Sequence, residues 1–431
     1  MTKGWRDSFA VYLDRRILTI LLLGFSSGLP LALTGATLAV WMTEAGVNLK
    51  AIGLFALVGT PYAFKFAWAP LIDHLRLPLL TRVFGRRRGW MLATQAVLIA
   101  ALLMLGATDP AAAPGLTALL AVVVAFCSAS QDIVIDAYRV EILEQEQYGA
   151  GAAAVQFGYR LAMLTSGAGA LFIAQYSGSW FVTYAAMAAL VGVGMVTVLA
   201  NREPKVPPKP AASPGLVGWL RHAVVDPFAD MARRQGWMLV AVLAFIILYK
   251  LGDALAGVMA NPFYVRMGFS KAEIAEISKL FGFVATILGT FLGGAVVARY
   301  GIVRSLIGCG ILQMASNLMF AWQATVGHDL GALTLTIAVE NLAGGMGSAA
   351  FVAYISGLCS LTYTGTQYAL LSSLAMVGRT TLAATGGYLV ESLGWFDFFV
   401  LSTAAALPGI LLLLALRHRL APPPQPAAVA T

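Results

Sequence analysis

NREPKVPPKPAASPGLVGWLRHAVVDPFADMARRQG, residues 201–236, is the one long polar interruption in a chain that is otherwise largely apolar. Closely spaced prolines exclude a helix from its first part, because proline lacks a backbone donor and its ring clashes with the preceding turn. Over residues 216–231 apolar residues recur at roughly helical spacing, which predicts either an amphipathic helix at a membrane surface or a flexible linker. This linker divides the chain into a first half, residues 1–200, and a second half, residues 237–420, and a proline-rich tail at 421–431 is expected to be disordered.

The composition excludes an ordinary water-soluble domain and predicts an all-α integral membrane protein. The chain of 431 residues is 59% hydrophobic and only 11% charged. Each half holds six apolar segments of about the 20 residues that a helix needs to cross the hydrocarbon core. Because backbone polar groups in lipid must bond within their own segment, we expect these segments to be α-helices. The predicted spans are 17–40, 51–70, 90–107, 115–135, 152–174, 180–199, 237–260, 274–298, 303–322, 330–358, 367–389 and 396–416.

Basic residues are distributed unevenly among the loops between these segments. Of 28 lysines and arginines, 20 lie in the termini and in the loops of one side, whereas the loops of the other side hold only Lys50, Arg266 and Lys271. The positive-inside rule therefore predicts that both termini and the linker are cytoplasmic. The net charge of +8 follows from this asymmetry, and the scatter of basic residues over short loops argues against a nucleic-acid-binding face.

The two halves resemble each other weakly. Gly46-Val47-Asn48 is similar to Gly268-Phe269-Ser270 at an offset of 222 residues, and each reads as a turn followed by a helix cap. Arg160 and Arg379 match at an offset of 219, and each is followed two turns later by a glycine. Weak internal similarity between six-span halves is typical of secondary transporters built from repeats.

Ionisable side chains inside the predicted spans are candidates for function, because each costs roughly 2.5–3.5 kcal/mol at the bilayer centre. Asp132 and Asp136 lie one turn apart on one face of the fourth span, and two carboxylates this close do not both ionise easily. One of them is therefore expected to carry a proton during transport, and Glu340 and Asp253 are further candidates for this role. The alternative for Asp136 and Arg139 is a structural charge cluster with the arginines of the loop after span two.

Basic and amide side chains in the spans favour an anionic or zwitterionic substrate. Arg160 and Arg379 occupy matching helices, and their planar guanidinium groups suit carboxylates. The alternative is that either arginine only satisfies an acid of the fourth span. Lys250 lies three residues from Asp253, so these two could also form a simple pair. The candidates for substrate binding are Gln131, Arg160, Arg379, Lys65, Lys250 and Asn341.

The loop after the second span contains Ala69-Pro70-Leu71-Ile72-Asp73 and then Gly85-Arg86-Arg87-Arg88-Gly89. These residues resemble the signature of the major facilitator superfamily, although the usual spacing is shorter. The resemblance implies a major-facilitator fold of about twelve transmembrane helices in two pseudo-symmetric six-helix halves. It also implies a charge latch that gates the cytoplasmic side, for which the candidates are Asp73, Arg86, Arg87, Arg88 and Arg139.

Blocks spread along nearly the whole chain carry a more specific resemblance. They are GFSSGLPLALT at 24–34, FKFAWAPL at 64–71, GRRRGW at 85–90, SQDIV at 130–134, GYRLAML at 158–164, ENLAGGMG at 340–347 and TQYALLS at 366–372. Together they look like the AmpG muropeptide permeases. The best-known members of that family carry two additional spans.

The AmpG resemblance implies proton-driven import of anhydro-muropeptides, chiefly N-acetylglucosamine–anhydro-N-acetylmuramyl peptides, by alternating access across the inner membrane of Gram-negative bacteria. Such import feeds peptidoglycan recycling and, in some bacteria, the β-lactamase induction that underlies antibiotic resistance. Peptide carboxylates suit Arg160, Arg379 and Lys65, and sugar rings suit aromatic residues, for which packing in the core is the alternative. The candidates added for this substrate are Tyr62, Tyr159, Trp41 and Gln367.

Other classes of function make different demands on the sequence. A related carrier of acetyl-CoA or another anionic solute would need more basic residues around a phosphate-rich group. A multispan enzyme would need a catalytic constellation at a membrane face, and a non-transporting sensor would not need repeated halves with a titratable core. We expect no enzyme activity, no metal and no cofactor beyond the proton gradient, since the four histidines are dispersed. We expect a monomer in the lipid bilayer that binds a small anionic glycopeptide and no nucleic acid.

Overall fold

Every regular element that the structure describes is a helix. The structure is a computed structural model, and it describes residues 4–47, 52, 55–205, 218, 221–383, 385–417 and 419. Within these residues, ten helical segments are long and apolar enough to cross a membrane, five in each half. The predicted all-helical membrane architecture is therefore confirmed. The ten are Arg15–Glu44, Arg86–Gly106, Pro114–Ile142, Gln145–Ser177, Trp180–Ala200, Met238–Arg266, Glu276–Tyr300, Ile302–Val326, Leu330–Leu358 and Trp395–Ala415.

The α-helices are numbered in chain order. The first half contains α1 (Trp5–Ala10), α2 (Arg15–Thr34), α3 (Ala36–Glu44), α4 (Thr60–Phe64), α5 (Ala69–His74), α6 (Leu80–Phe84), α7 (Arg86–Gly106), α8 (Pro114–Ile142), α9 (Tyr148–Leu164), α10 (Ala170–Ser177) and α11 (Trp180–Ala200). The linker contains α12 (Asp226–Gln235). The second half contains α13 (Met238–Leu248), α14 (Leu251–Arg266), α15 (Lys271–Glu273), α16 (Gly282–Tyr300), α17 (Ile302–Val326), α18 (Leu330–Leu358), α19 (Thr364–Ala383), α20 (Gly386–Leu393) and α21 (Trp395–Leu416). Short 3₁₀ helices lie at Val11–Leu13, Phe55–Gly59, Lys65–Ala67 and Gln145–Gln147, and π-helical turns at Thr165–Gly169, Arg221–Val225 and Ile274–Phe281.

Four predicted spans are interrupted in the part of the chain that the structure describes. The first is broken at Gly35, between α2 and α3, and the seventh at Tyr249 and Lys250, between α13 and α14. In the described part of the second span, residues 51–70, 3₁₀ turns alternate with α4 and α5. Pro61 and Pro70 lie in the first turns of α4 and α5, where a missing N–H is tolerated, but neither can continue a helix that precedes it. Lys65 lies at the joint that follows α4. The eleventh span likewise consists of α19 and α20, which are separate helices.

The internal repeat predicted from the sequence has a counterpart in the backbone. Gly46 follows α3 with a φ of +78°, and Gly268 follows α14 with a φ of +88°. In both places the next residue donates its N–H to the carbonyl five residues earlier, over 2.9 Å from Val47 and 3.1 Å from Phe269. Glycine adopts this left-handed conformation without a steric penalty. The two halves therefore end corresponding helices in the same way.

The halves meet at the end of the molecule where α2 and α7 begin and where the linker runs, which we call the linker face. A Cβ atom at Gly149 of α9 would lie 2.9 Å from the carbonyl oxygen of Gly294 of α16, and one at Gly294 would lie 2.8 Å from that of Gly149. The hydroxyl of Tyr12 also donates to the carbonyl of Phe291 over 2.7 Å. Small residues are what allow membrane helices to approach this closely, so the contact between the halves depends on these glycines.

Candidate transport site

The two acids of the fourth span have different partners. Asp132 in α8 accepts a hydrogen bond from the hydroxyl of Ser27 in α2. Asp136, one turn further on, lies 3.5 Å from the ammonium of Lys65 and 3.4 Å from the guanidinium of Arg139. The cluster with Arg139 that the sequence suggested is therefore present, but its second cation is Lys65 and not an arginine of the loop after span two.

Arg139 joins this first cluster to the second half. Its side chain is buried and donates to the hydroxyl of Ser356 in α18 over 3.1 Å. Its guanidinium also lies 5.1 Å from the ring centre of Tyr368 in α19, which is a cation–π distance. Because α18 and α19 belong to the second half, a movement that separates the halves at this level must break both contacts.

Lys250 organises a second polar cluster. It lies at the break between α13 and α14. Its ammonium is 3.0 Å from the Ser348 hydroxyl, 3.2 Å from the Gln313 amide oxygen and 3.6 Å from the Asp253 carboxylate. The pairing of Lys250 with Asp253, which the sequence left open, is present, and all these partners lie in the second half.

Glu340 and Asn341 are neighbours in α18, and both are half-buried. The side-chain amide of Asn341 donates to Glu340 over 2.7 Å, and its oxygen accepts a hydrogen bond from Thr286 over 2.7 Å. Among the residues that the structure describes, Glu340 forms no ion pair. Its carboxylate is thus held by a neutral amide.

Arg160 is half-buried in α9 and makes no hydrogen bond or ion pair with a described residue. These contacts give no support to the alternative that it only neutralises an acid of the fourth span. A guanidinium with free donors and no counterion is suited to bind an anion. Arg379 lies in α19, but its side chain lies outside the described residues.

Three further candidates lie beside these clusters. Gln131 is buried next to Asp132 and donates to the hydroxyl of Ser26 over 3.3 Å, and its amide oxygen has no partner in the described part of the chain. The hydroxyl of Tyr62 is also buried and without a described partner. Tyr159 precedes Arg160 in α9 and packs through its backbone against a glycine of α2. Unsatisfied polar atoms of this kind are the groups that a bound solute or water would complete.

Two candidates for substrate binding have other contacts. The ring of Trp41 is buried and stacks on Trp180 at 5.5 Å. Gln367 donates to Asp230 of α12 and accepts from Arg234 of α12, both over 2.9 Å. Both side chains therefore have contacts within the protein: Trp41 packs in an aromatic core, the alternative left open for the aromatic residues, and Gln367 fastens the linker helix to the second half. The contact of Gln367 could not be predicted from the sequence, because the docking of α12 joins residues more than 130 positions apart.

Three of the five predicted gate residues, Asp73, Arg86 and Arg87, belong to a charge network at the linker face, which we call the latch. Arg139 belongs instead to the cluster with Asp136. Arg87 donates to Asp73 over 2.7 Å and to both carboxylate oxygens of Glu141, and all three side chains are buried. Arg86 donates to the backbone carbonyl of Asp73 over 3.1 Å. Arg88 instead donates to a carbonyl at the end of α11 over 2.9 Å, so it anchors the sixth span and is not part of the latch.

The latch reaches the second half through Asp73. One carboxylate oxygen accepts hydrogen bonds from the backbone N–H of Thr366, over 2.7 Å, and from its hydroxyl, over 2.8 Å. Thr366 lies in the first turn of α19, where the helix dipole also favours a negative charge. Sequence reasoning missed both Glu141 and Thr366. Glu141 lies two residues after Arg139 and could have been noticed, but nothing in the sequence points to Thr366.

Glu203, at the start of the linker, caps the N-terminus of α7. Its carboxylate accepts the backbone N–H groups of Arg87, over 2.7 Å, and of Arg88, over 3.0 Å. Burial raises the pKa of the Glu203 carboxyl above its ordinary value of 4.5, and the two N–H groups offset only part of this effect. The linker is thus attached to the first half at Glu203 and to the second half at α12.

Comparisons with known proteins agree with this architecture. The sequence pattern of the Major Facilitator Superfamily matches residues 20–285 and 247–430. The chain is 43% identical over 412 residues to the anhydromuropeptide permease of Escherichia coli strain K12, across 95% of this chain and 81% of that protein. It is 34% identical over 410 residues to the putative transporter AmpG 4 of Rickettsia felis, across 95% of this chain and 98% of that protein.

Solved structures share the fold at low sequence identity. A bacterial homologue of the iron transporter ferroportin in an outward-facing state superposes with a TM-score of 0.67 and 15% identity, over 94% of this chain and 98% of that one. The human organic anion transporter MFSD10 gives a TM-score of 0.61 and 16% identity, over 95% of this chain and 100% of that one. The repeated halves, the latch and these relatives lead to one classification: the chain belongs to the major facilitator superfamily and, within it, to the AmpG-type permeases.

Proposed function

We propose that this protein imports anhydro-muropeptides, GlcNAc–anhydroMurNAc peptides, through the bacterial inner membrane for cell-wall recycling. The observation that carries the proposal is the 43% identity, over 95% of the chain, to a protein named anhydromuropeptide permease. We further propose that the transport is coupled to protons and proceeds by alternating access. The contacts of the two polar clusters and of the linker face support these finer statements.

We assign the carboxylate of the peptide stem to Arg160. Lys65 and Lys250 each lie within 3.6 Å of an aspartate, so their charges are already largely compensated. Arg160 has no such partner among the described residues, and its planar fork can bind both oxygens of a carboxylate. Arg379, at the matching position of the second half, is the second candidate on the basis of the repeat.

We assign the transported proton to Asp132. Asp136 is already paired with two cations, Lys65 at 3.5 Å and Arg139 at 3.4 Å. Asp132 is held by the hydroxyl of Ser27, which can donate to a carboxylate and can also accept from a protonated carboxyl group. In the second half, Glu340 is the corresponding candidate, because its partner is a neutral amide, and Asp253 ranks behind it, because it pairs with Lys250.

The closed linker face supports alternating access. The bonds from Asp73 to Thr366 and the approach of Gly149 to Gly294 both hold the halves together there. Opening this face requires that these contacts break, and a change of charge beside Arg139 would weaken a neighbouring contact. Since the basic loops gather on this face, we propose that it is cytoplasmic, together with both termini.

A carrier of acetyl-CoA or another anionic solute is the alternative, because an unpaired arginine recognises anions of many kinds. Uptake into proteoliposomes separates the two. We expect radiolabelled anhydro-muropeptide to accumulate when the exterior is acidic, and to accumulate far less without a pH gradient. Accumulation of acetyl-CoA in place of muropeptide would overturn the substrate, and muropeptide accumulation that ignores the gradient would overturn proton coupling.

Thiol labelling tests the orientation. The native cysteines Cys127, Cys309 and Cys359 are buried, so the reagent should label the introduced cysteines with little reaction at the native ones. Cysteines at 108–114 or 325–329 should react with an impermeant reagent from the periplasm, and a cysteine at 205 should not. The opposite pattern would invert the proposed topology.

A further inference from the structure

A cavity of about 610 Å³ opens at the linker face of the first half. Its walls are the start of α2, the end of α8 and the chain that runs from the end of α11 into the linker. None of the residues that we assign to the substrate or to the proton lines it. The cavity is therefore a separate site, and its chemistry is set by the charged side chains around it.

The acidic residues that line the cavity are already engaged. Glu141 is held by Arg87, and Glu203 accepts the N–H groups that begin α7. The carboxylate of Asp14 accepts a backbone N–H from Arg16 over 2.8 Å and the side-chain amide of Gln147 over 2.8 Å. Glu141 is thus neutralised by Arg87, and the oxygens of Asp14 and Glu203 are hydrogen-bonded to groups of the protein.

The basic residues of the cavity have side-chain N–H groups that form no hydrogen bond with described residues. Arg202 and Lys205 have exposed side chains, and within the described residues neither side chain forms a hydrogen bond or an ion pair. The hydroxyl of Tyr138 holds the backbone carbonyl of Arg202 over 3.0 Å, so this arginine is positioned at the cavity. Arg15 uses one nitrogen for a carbonyl at the end of α11, and Arg16 forms a partly exposed pair at 3.3 Å.

We propose that this cavity binds the phosphate group of an anionic phospholipid headgroup. Membrane spans begin and end at its walls, so the cavity lies at the depth of the headgroups. Its volume is in the usual range for a small-molecule site, and guanidinium groups bind phosphate oxygens through paired charge-assisted bonds. Basic residues at this depth are also attracted to an anionic leaflet.

The test compares lipid binding by matched variants. The site variant is Arg202→Gln with Lys205→Gln. The control variant is Arg233→Gln with Arg304→Gln, which removes the same charge from two exposed side chains outside the cavity. All four side chains are exposed, so both variants should fold, and near-normal muropeptide uptake would verify this.

Phosphatidylglycerol and phosphatidylcholine are offered to each protein in nanodiscs, and retained lipid is counted by native mass spectrometry. We expect the wild type and the control to retain phosphatidylglycerol preferentially, and the site variant to bind it about tenfold more weakly or worse. Equal retention of both lipids by the wild type, or equal losses in the two variants, would overturn the proposal. Soluble glycerol phosphate is a further probe: if it binds as tightly as the lipid and displaces it, the site is a phosphate site but not a lipid site.

Discussion

The two halves carry polar clusters of similar composition that connect to different neighbours. In the first half, Arg139 beside Asp136 contacts Ser356 of the second half. In the second half, Lys250 beside Asp253 is bonded to residues of its own half. A rearrangement of the halves therefore changes the surroundings of the first cluster and leaves the described contacts of the second in place. In the proton-coupled transport proposed above, the first cluster would therefore be the better placed to link a proton to movement of the halves.

The same contrast occurs at the linker face. In the first half, α7 begins beside the buried latch, and Glu203 caps its N-terminus. In the second half, α17 also begins after a glycine, Gly301, but no described side chain accepts a hydrogen bond from its first N–H groups, and Arg304 in its first turn is exposed. The two halves thus share a similar backbone, but among the described residues only the helix start in the first half lies beside a charge network that contacts the other half.

The largest expected effect tests which cluster carries the proton. Asp132→Asn should abolish gradient-driven accumulation of muropeptide but spare exchange, because an asparagine cannot cycle a proton. Glu340→Gln, the matched change in the second half, should reduce accumulation less. For both variants, gradient-driven uptake and counterflow exchange of muropeptide are measured in proteoliposomes. If Glu340→Gln abolishes accumulation and Asp132→Asn does not, the roles of the halves are reversed.

The second effect concerns the stability of the latch. Arg87→Ala removes the cation from the buried Asp73 and leaves the buried Glu141 with only Arg86, at 3.7 Å, and breaking such a buried ion pair costs about 3–5 kcal/mol. Arg304→Ala, at the corresponding helix start of the second half, should change stability by less than about 0.5 kcal/mol, because the side chain is exposed. Thermal and chemical unfolding in detergent measure the difference. Similar losses in the two variants would remove the asymmetry between the halves.

The third effect asks whether Arg160 binds substrate. Arg160→Ala should lose a charge-assisted hydrogen bond of roughly 1.5–3 kcal/mol, which is about tenfold to a hundredfold in affinity. Arg160→Lys should rescue poorly, since an ammonium lacks the planar fork. The loss should be large for the full muropeptide and small for the disaccharide without its peptide. Equal losses on both ligands would mean that the arginine stabilises the bundle, and Arg379→Ala repeats the test in the second half.

The smallest effect is a pH dependence at the cap of α7. Because the folded-state pKa of Glu203 is raised, the stability that its protonation contributes is fully present below the unfolded value of 4.5 and is lost as the pH rises through the folded-state value. Glu203→Gln should therefore flatten the decline in thermal stability just above pH 4.5. An unchanged profile would show that the cap does not titrate in that range.

Contacts between residues one turn apart could be predicted from the sequence, and long-range contacts could not. The pairs of Asp136 with Arg139 and of Lys250 with Asp253 follow from helical spacing. The bond between Asp73 and Thr366 spans 293 positions, and no periodicity in one sequence selects such a partner.

Hydropathy indicated where the spans lie, but not whether each span is one continuous helix. Residues 51–70 are apolar enough to be predicted as one span, but hydropathy does not show that Pro61 and Pro70 each lie in the first turn of a new helix. The interruption is what puts Lys65 at a joint within reach of Asp136. For Gln367, the sequence supplied a polar side chain in a span, and only the docking of α12 shows that its amide is used elsewhere.

At the contact of Gly149 with Gly294, one added methyl group would destabilise the closed arrangement of the two helices. On either glycine it would overlap a carbonyl oxygen of the opposite helix, and the overlap disappears as soon as the helices separate. A substitution there would raise the energy of one conformation selectively, with no change to any charge or to either polar cluster. In the alternating-access cycle proposed above, the balance between the open and closed forms would therefore depend on the space between these two helices as much as on any bond, and a single added carbon atom would change it.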